Sequence, residues 1–118
     1  MNSTPYYVFD TDEFAKRAAM IKAALGNIHL CFSIKANPFL LHRIPEGLDR
    51  VEVCSPGELE ICIALGIDPS SIIYSGVMKE ETDITRAITY GAGILTCESI
   101  RHARLESKVA LSQGKKVD

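Results

Sequence analysis

The chain has 118 residues, of which 47% are hydrophobic and 24% charged, and its formal net charge at pH 7 is -2. This size is typical of one domain or less, and the small net charge gives no electrostatic reason to expect nucleic acid or a membrane surface as a partner. No apolar run approaches the roughly 20 residues of a membrane span, and the amino terminus lacks a secretory signal pattern, so we expect a cytoplasmic protein.

The cysteines and histidines form no pattern typical of a disulfide framework or a metal site. The four cysteines include no C-x-x-C pair, and three of them lie in apolar runs, where a reduced cysteine behaves as a small hydrophobic residue. They are Cys31, Cys54, Cys62 and Cys97. No spacing places two of the three histidines on one side of a helix or strand, so we expect no metal site.

The first predicted elements are a strand and a helix. Tyr6–Phe9 combines aromatic and β-branched residues, which favours a strand. Asp10 is expected to cap the helix that follows, with Glu13 at capping-box spacing. Apolar residues then recur at helical intervals as far as Gly26, which predicts the end of the helix.

The next predicted strand ends in a lysine. Leu30–Lys35 is mostly apolar and predicts a short buried strand, which the Asn37-Pro38 turn ends because proline cannot continue a sheet ladder. Side-chain alternation places Cys31, Ser33 and Lys35 on one face, toward a barrel or cleft. Lys35 then lies at the carboxyl end of the strand, where α/β sheets and βα barrels carry their ligand chemistry. On pattern alone, a solvated strand end remains the more common interpretation.

A short helix at Phe39–Ile44 and three further strand–helix units complete the chain. The strands are predicted at Val51–Cys54, Ile72–Ser75 and Ile94–Cys97, and the helices after Ser55, from Glu80 to Tyr90, and after Ser99. The strongest helix start is Ser55-Pro56-Gly57-Glu58, with serine as N-cap, proline at the first helical position, and Glu58 bonding back to the serine backbone.

Strands that alternate with helices at this spacing imply parallel pairing through right-handed crossovers. Two α/β architectures fit the pattern. One is an open doubly wound sheet that is complete in itself. The other is the first half of an eight-stranded βα barrel, which typically takes about 250 residues. The pattern does not choose between them.

Three stretches together resemble the amino-terminal half of the fold-type III pyridoxal-phosphate decarboxylases, the diaminopimelate and ornithine decarboxylase group. They are Thr4–Asp10, Phe32–Pro38 and Val51–Leu59, and the likeness extends through Ile72–Gly76 and Leu95–Ser99. The resemblance implies a partial βα barrel of the alanine-racemase or TIM type, with about four βα units preceded by one strand and helix. Residues 1–118 are then expected to form a single partial domain.

The resemblance also implies the cofactor and the site. Pyridoxal 5'-phosphate is the expected cofactor, Lys35 the catalytic lysine that forms a Schiff base with it, and Glu52, Ser55 and Glu58 further cofactor-binding residues. A carboxylate inside an apolar strand is costly unless a cation pairs with it, so Lys35 is the expected partner of Glu52. Burial is expected to lower the pKa of the Lys35 amine, which attacks an aldehyde only when neutral. The helix cap explains Glu58 equally well, and Ser55 is expected to be a cap first and a site residue second.

In this family the phosphate-binding glycine loop, the acidic partner of the pyridine nitrogen and the carboxyl-terminal domain follow the region that ends at Asp118. We therefore expect a portion of a decarboxylase of diaminopimelate, ornithine or lysine that is inactive by itself. Open sheet edges and an uncovered apolar interior predict a homodimer or association through those edges. Two alternatives stay open: an amino-acid racemase relative of the same fold, and a non-catalytic open-sheet binding domain.

Overall fold

A computed structural model of the chain describes residues 4–118 and contains one parallel sheet of four strands in the order β1-β2-β3-β4. The strands are β1 Cys31–Ser33, β2 Arg50–Val53, β3 Ile72–Tyr74 and β4 Ile94–Leu95. The helices are α1 Thr11–Leu25, α2 Pro56–Ala64, α3 Glu81–Tyr90 and α4 Ile100–Ser112, and short 3₁₀ helices span Pro38–Arg43 and Pro69–Ser71. Spatial strand order equals chain order, as in a βα barrel, so the architecture is the predicted partial barrel.

The predicted helix starts are confirmed by their caps. The Asp10 carboxylate accepts hydrogen bonds from the backbone N–H groups of Asp12 and Glu13 at 2.9 and 3.0 Å. The Ser99 hydroxyl accepts one from the His102 N–H at 3.1 Å. Each cap satisfies amide groups that the first turn of a helix leaves without a partner, which explains why these helices begin where they do.

The core lies between the helices and one face of the sheet. Alternate residues of β2 show the division, since Val51 and Val53 are buried while Glu52 between them is half-buried. The opposite face carries Ser33, Glu52 and Ser75, and both serine hydroxyls donate hydrogen bonds to the Glu52 carboxylate. Polar side chains of three neighbouring chain segments thus occupy part of the face that was expected to be an uncovered apolar interior, while Ile73 and Ile94 on the same face are apolar and only half-buried.

The strand predicted at Tyr6–Phe9 does not form. These residues lie outside the sheet, and Tyr7 is fully exposed. Aromatic and β-branched residues favour extended backbone, but a strand also needs a hydrogen-bonding neighbour, and the sheet provides none here. The segment is held instead by ring contacts of Phe9 with Phe14 and Phe39, each at a centroid distance of 5.8 Å.

Within residues 4–118, no helix combines the length and the apolar character that crossing a membrane requires.

Candidate functional site

A group of polar side chains lies at the carboxyl ends of β1, β2 and β3. Lys35 follows β1, Glu52 lies in β2, and Ser75 follows β3. The parallel register pairs Ser33 with Glu52 and Val53 with Tyr74, so these positions meet at the carboxyl end of the sheet. The sequence-predicted neighbours Lys35 and Glu52 are therefore brought together by strand pairing.

Lys35 lies beyond the end of β1, not within the strand as predicted. Its φ angle is +44°, the only positive φ of a non-glycine residue among residues 4–118. The Asn37 N–H bonds the Ile34 carbonyl at 2.7 Å, so the chain makes a tight turn around Lys35. Such a conformation costs about 1–2 kcal/mol for a residue with a side chain. Strain of this kind clusters at functional sites, which makes Lys35 a candidate on geometric grounds.

The Lys35 amine is held by an acidic partner. Its Nζ lies 3.2 Å from Glu52 Oε2 and donates a hydrogen bond to Cys54 Sγ at 3.5 Å. The hydrogen bond to Glu52 raises the pKa of Lys35, with a smaller contribution from Cys54. The expected lowering of this pKa is wrong, because the side chain is 56% exposed and the carboxylate stabilises the ammonium form more than desolvation opposes it.

Two serine hydroxyls orient the Glu52 carboxylate. Ser33 donates to Glu52 Oε2 and Ser75 to Oε1. Burial opposes the ionisation of Glu52, but the hydrogen bonds from Ser33, Ser75 and Lys35 outweigh it and lower the pKa of this carboxyl. Sequence reasoning placed Ser33 on the Lys35 face but gave neither serine a role. The sequence did contain a signal for this role, because Ser33 and Ser75 lie near the ends of strands that neighbour the strand carrying Glu52.

The side chains of Ser55 and Glu58 both accept hydrogen bonds from backbone N–H groups. The Ser55 hydroxyl accepts from the Glu58 N–H at 3.2 Å, which confirms the predicted cap. Glu58 departs from the strict capping box, because its Oε2 accepts from the Cys54 N–H at 2.7 Å and not from that of Ser55. Within the described residues, neither side chain hydrogen-bonds Lys35. Glu58 reaches the amine only through the Cys54 thiol, which lies 3.5 Å from Oε1.

A second polar cluster, which sequence reasoning missed, joins the loops that follow β3 and β4. The Lys79 side chain is fully buried, and its amine donates to the carbonyl and hydroxyl of Thr96. Glu106 lies 3.8 Å from the same amine and accepts a hydrogen bond from the Cys97 thiol at 2.7 Å. The cluster includes no metal site, and among residues 4–118 no group of three or more His, Cys, Asp and Glu side chains is placed to bind a metal ion.

A sequence profile of the family described as pyridoxal-dependent decarboxylase, pyridoxal binding domain, matches residues 11–112. The chain belongs to the pyridoxal-dependent decarboxylase family. The predicted family and its cofactor, pyridoxal phosphate, are thereby confirmed.

Similar decarboxylases are much longer than this chain. The diaminopimelate decarboxylases of Zymomonas mobilis and Pseudomonas aeruginosa are 34% and 37% identical to it, over 96% of this chain and 28% of each relative. A chloroplastic ornithine decarboxylase of Nicotiana glauca is 34% identical, over 80% of this chain and 22% of the relative. The chain thus spans less than a third of the length of these decarboxylases.

Solved structures agree on the fold. The diaminopimelate decarboxylase of Helicobacter pylori, complexed with L-lysine, matches with a TM-score of 0.79 and 26% identity, over 98% of this chain and 30% of that one. A structure from Aquifex aeolicus matches with a TM-score of 0.83 and 29% identity, over 97% of this chain and 29% of that one. The four strands correspond to part of a decarboxylase barrel.

Proposed function

We propose that the chain is the amino-terminal part of the cofactor-binding barrel of an amino-acid decarboxylase, with Lys35 as the residue that binds pyridoxal phosphate covalently. Residues 1–118 are then one partial domain. The observation that carries the proposal is the accessible Lys35 amine at the carboxyl end of a parallel sheet. A backbone turn of positive φ at Lys35 holds this amine 3.2 Å from Glu52. The carboxyl end of the strands is where βα barrels perform their chemistry.

The residues fit a cofactor that carries an aldehyde. Covalent binding needs a primary amine that a ligand can reach, and the Lys35 side chain is exposed on the sheet face opposite the helices. The Lys79 amine, near the same carboxyl end of the sheet, is fully buried and hydrogen-bonded to Thr96, so a ligand cannot reach it. When bound, pyridoxal phosphate supplies an electron sink for the carbanion that remains after loss of carbon dioxide.

The side chains around Lys35 determine the protonation state of its amine. A lysine amine is nucleophilic only when neutral, and the raised pKa of Lys35 means that it carries a proton at neutral pH. Glu52 is the nearest acceptor for that proton, and Ser33 and Ser75 fix its two carboxylate oxygens. Glu58 holds the backbone of the turn that positions Cys54 beside the amine.

The names of the relatives support a substrate class. Diaminopimelate and ornithine are amino acids with a second amino group, and the Helicobacter structure contains L-lysine, which shares that feature. We propose an amino acid of this type as the substrate of the whole enzyme. Because the chain spans 28% of the relatives, we expect no decarboxylation by these 118 residues alone.

Two further proposals concern assembly and location. β1 and β4 are the edges of the sheet, and the outer side of β4 already bonds the chain's own Asp118 carbonyl through the Leu95 N–H at 2.8 Å. We therefore propose β1 as the edge through which two copies associate, which light scattering would detect as a dimer. The four free cysteines support a reducing compartment, the cytoplasm.

The test of function is covalent labelling. The purified chain is incubated with pyridoxal phosphate and reduced with borohydride, and the modified lysines are mapped by mass spectrometry. We expect stoichiometric modification at Lys35, loss of that signal in Lys35→Ala, and no change in Lys16→Ala, which removes an exposed lysine of α1. Labelling spread over surface lysines, with no preference for Lys35, would contradict the assignment.

A further inference from the structure

Cys54 contacts the proposed cofactor lysine, and nothing in the proposed function uses its thiol. Its Sγ accepts a hydrogen bond from Lys35 Nζ at 3.5 Å and donates one to Glu58 Oε1 at the same distance. The side chain of Lys35 is more than half exposed and Cys54 is half-buried, so a small solute reaches both groups. A nucleophilic thiol and a nucleophilic amine are thus held in contact at an open site.

The other cysteines lack this arrangement. Cys62 is buried in the core, Cys31 is exposed on β1, and the thiol of Cys97 bonds the Glu106 carboxylate. Within residues 4–118, Lys35 and Cys54 form the only hydrogen bond between a lysine and a cysteine. The other three cysteines therefore serve as controls for any chemistry that is specific to the Lys35–Cys54 pair.

We propose that a peroxide joins Cys54 and Lys35 through a reversible sulfur–nitrogen bond, which withdraws the amine from the site. The consequence for the cofactor rests on the function proposed for Lys35. The formation of the bond depends only on the two side chains and the oxidant.

The chemistry balances in two steps. Hydrogen peroxide transfers one oxygen atom to the Cys54 thiol, which gives a sulfenic acid and one water as the sulfur loses two electrons to the peroxide. The lone pair of the neutral Lys35 amine then attacks the sulfur. The hydroxyl group leaves and takes up the proton released by nitrogen, so a second water forms. A dithiol reverses the bond by attacking the sulfur, which returns the amine and the thiol as the dithiol becomes a disulfide.

Burial and the neighbouring carboxylates together set the pH dependence of this reaction. Glu52 raises the pKa of Lys35, whereas burial followed by the hydrogen bond to Glu58 raises the pKa of Cys54. The thiolate and the neutral amine are the reactive forms, so bond formation is slow at neutral pH and accelerates as the pH rises. Glu58→Gln removes one negative charge beside the thiol and should accelerate the oxidation of Cys54 several-fold.

The experiment treats the reduced 118-residue chain with hydrogen peroxide and follows its intact mass. We expect a loss of two hydrogen atoms, a linked peptide pair containing residues 35 and 54, and full reversal by dithiothreitol. Cys31→Ser and Cys97→Ser should retain the link. Cys54→Ser should abolish it, and so should Lys35→Arg, which keeps the positive charge but offers no comparable amine nucleophile.

The proposal is overturned if wild-type Cys54 gains oxygen without linking, if no reaction occurs, or if the link persists in Cys54→Ser or Lys35→Arg. A second readout separates the two proposals. If Lys35 binds the cofactor, the linked protein loses borohydride-trapped labelling by pyridoxal phosphate and regains it with dithiothreitol. If the link forms but the labelling does not change, the proposed sulfur–nitrogen bond is supported and the cofactor role of Lys35 is refuted.

Discussion

Gly76→Ala tests whether the geometry at the end of β3 holds the site together. Gly76 has a φ of +102°, a backbone conformation that side chains disfavour. A Cβ added there would lie 3.1 Å from the carbonyl carbon of Cys54 and closer still to its oxygen. These are backbone atoms of the neighbouring segment, so no side chain can rotate away and the two segments must separate.

The expected cost has two parts. The disfavoured conformation costs of order 1–3 kcal/mol for a residue with a side chain. Separation of the segments also weakens the bond from the Ser75 N–H to the Val53 carbonyl, which is 2.8 Å long, and a lost bond of this kind costs about 0.5–1.5 kcal/mol. We expect Gly76→Ala to lower the free energy of unfolding by about 1.5–4.5 kcal/mol in total.

Urea unfolding followed by circular dichroism measures this loss, and Gly57→Ala is the matched control. Gly57 lies in α2 without a positive φ, and a Cβ added to it would meet no atom within 4 Å, so alanine there should be neutral or stabilise the chain by up to about 1 kcal/mol. We also expect Gly76→Ala to shift the pH profile of pyridoxal phosphate labelling of Lys35 to lower pH, because displacement of Cys54 weakens a hydrogen bond that raises the pKa of the amine. Equal stability and equal labelling of Gly76→Ala and wild type would refute the reasoning.

Three further predictions concern single interactions. Ser55→Ala removes the cap of α2 and should lower the free energy of unfolding by about 1 kcal/mol in the same urea assay, whereas no change would show that the cap is dispensable. The hydrogen bond from Lys22 lowers the pKa of Asp49 from 3.8 to about 2, so Asp49 should contribute stability above pH 3.8 that is lost as the pH falls toward 2. Asp49→Asn should flatten acid unfolding in that window, and an unchanged curve would contradict the assignment. Glu52→Gln removes the main cause of the raised pKa of Lys35, so the pH profile of pyridoxal phosphate labelling should shift to lower pH, and a shift in the opposite direction would refute that cause.

The elements that the sequence predicts well are those fixed by neighbouring residues. Asp10, Ser55 and Ser99 cap helices by bonding amides two or three positions away, so residue type and spacing suffice to place those helix starts. The glycine after α3 adopts the left-handed conformation that ends a helix, as the position of Gly91 predicts. Such interactions lie within one helical turn and need no knowledge of the tertiary fold.

Features that depend on distant residues were missed. Tyr6–Phe9 has the composition of a strand but no neighbour in the sheet. Lys79 is a lysine in a loop, and its burial follows from the carbonyl of Thr96, which comes from the next βα unit. The pKa of Lys35 is raised because the hydrogen bond to Glu52 outweighs the desolvation of a largely exposed side chain, and the apolar run before Lys35 does not reveal that exposure. In each case the outcome is fixed by packing and not by local pattern.

The pair Lys35–Glu52 is predictable because strand register is determined by the hydrophobic pattern. Val51 and Val53 are buried against the helices, which forces Glu52 onto the opposite face. A shift of β2 by one residue would expose both valines and turn Glu52 toward the core, at the cost of the burial of two side chains. The apolar residues that stabilise the sheet thereby also place a carboxylate beside the lysine. Substitutions that loosen the valine packing should consequently lower the pKa of Lys35, although they lie on the far side of the sheet from its amine, and the pH profile of pyridoxal phosphate labelling would report that change.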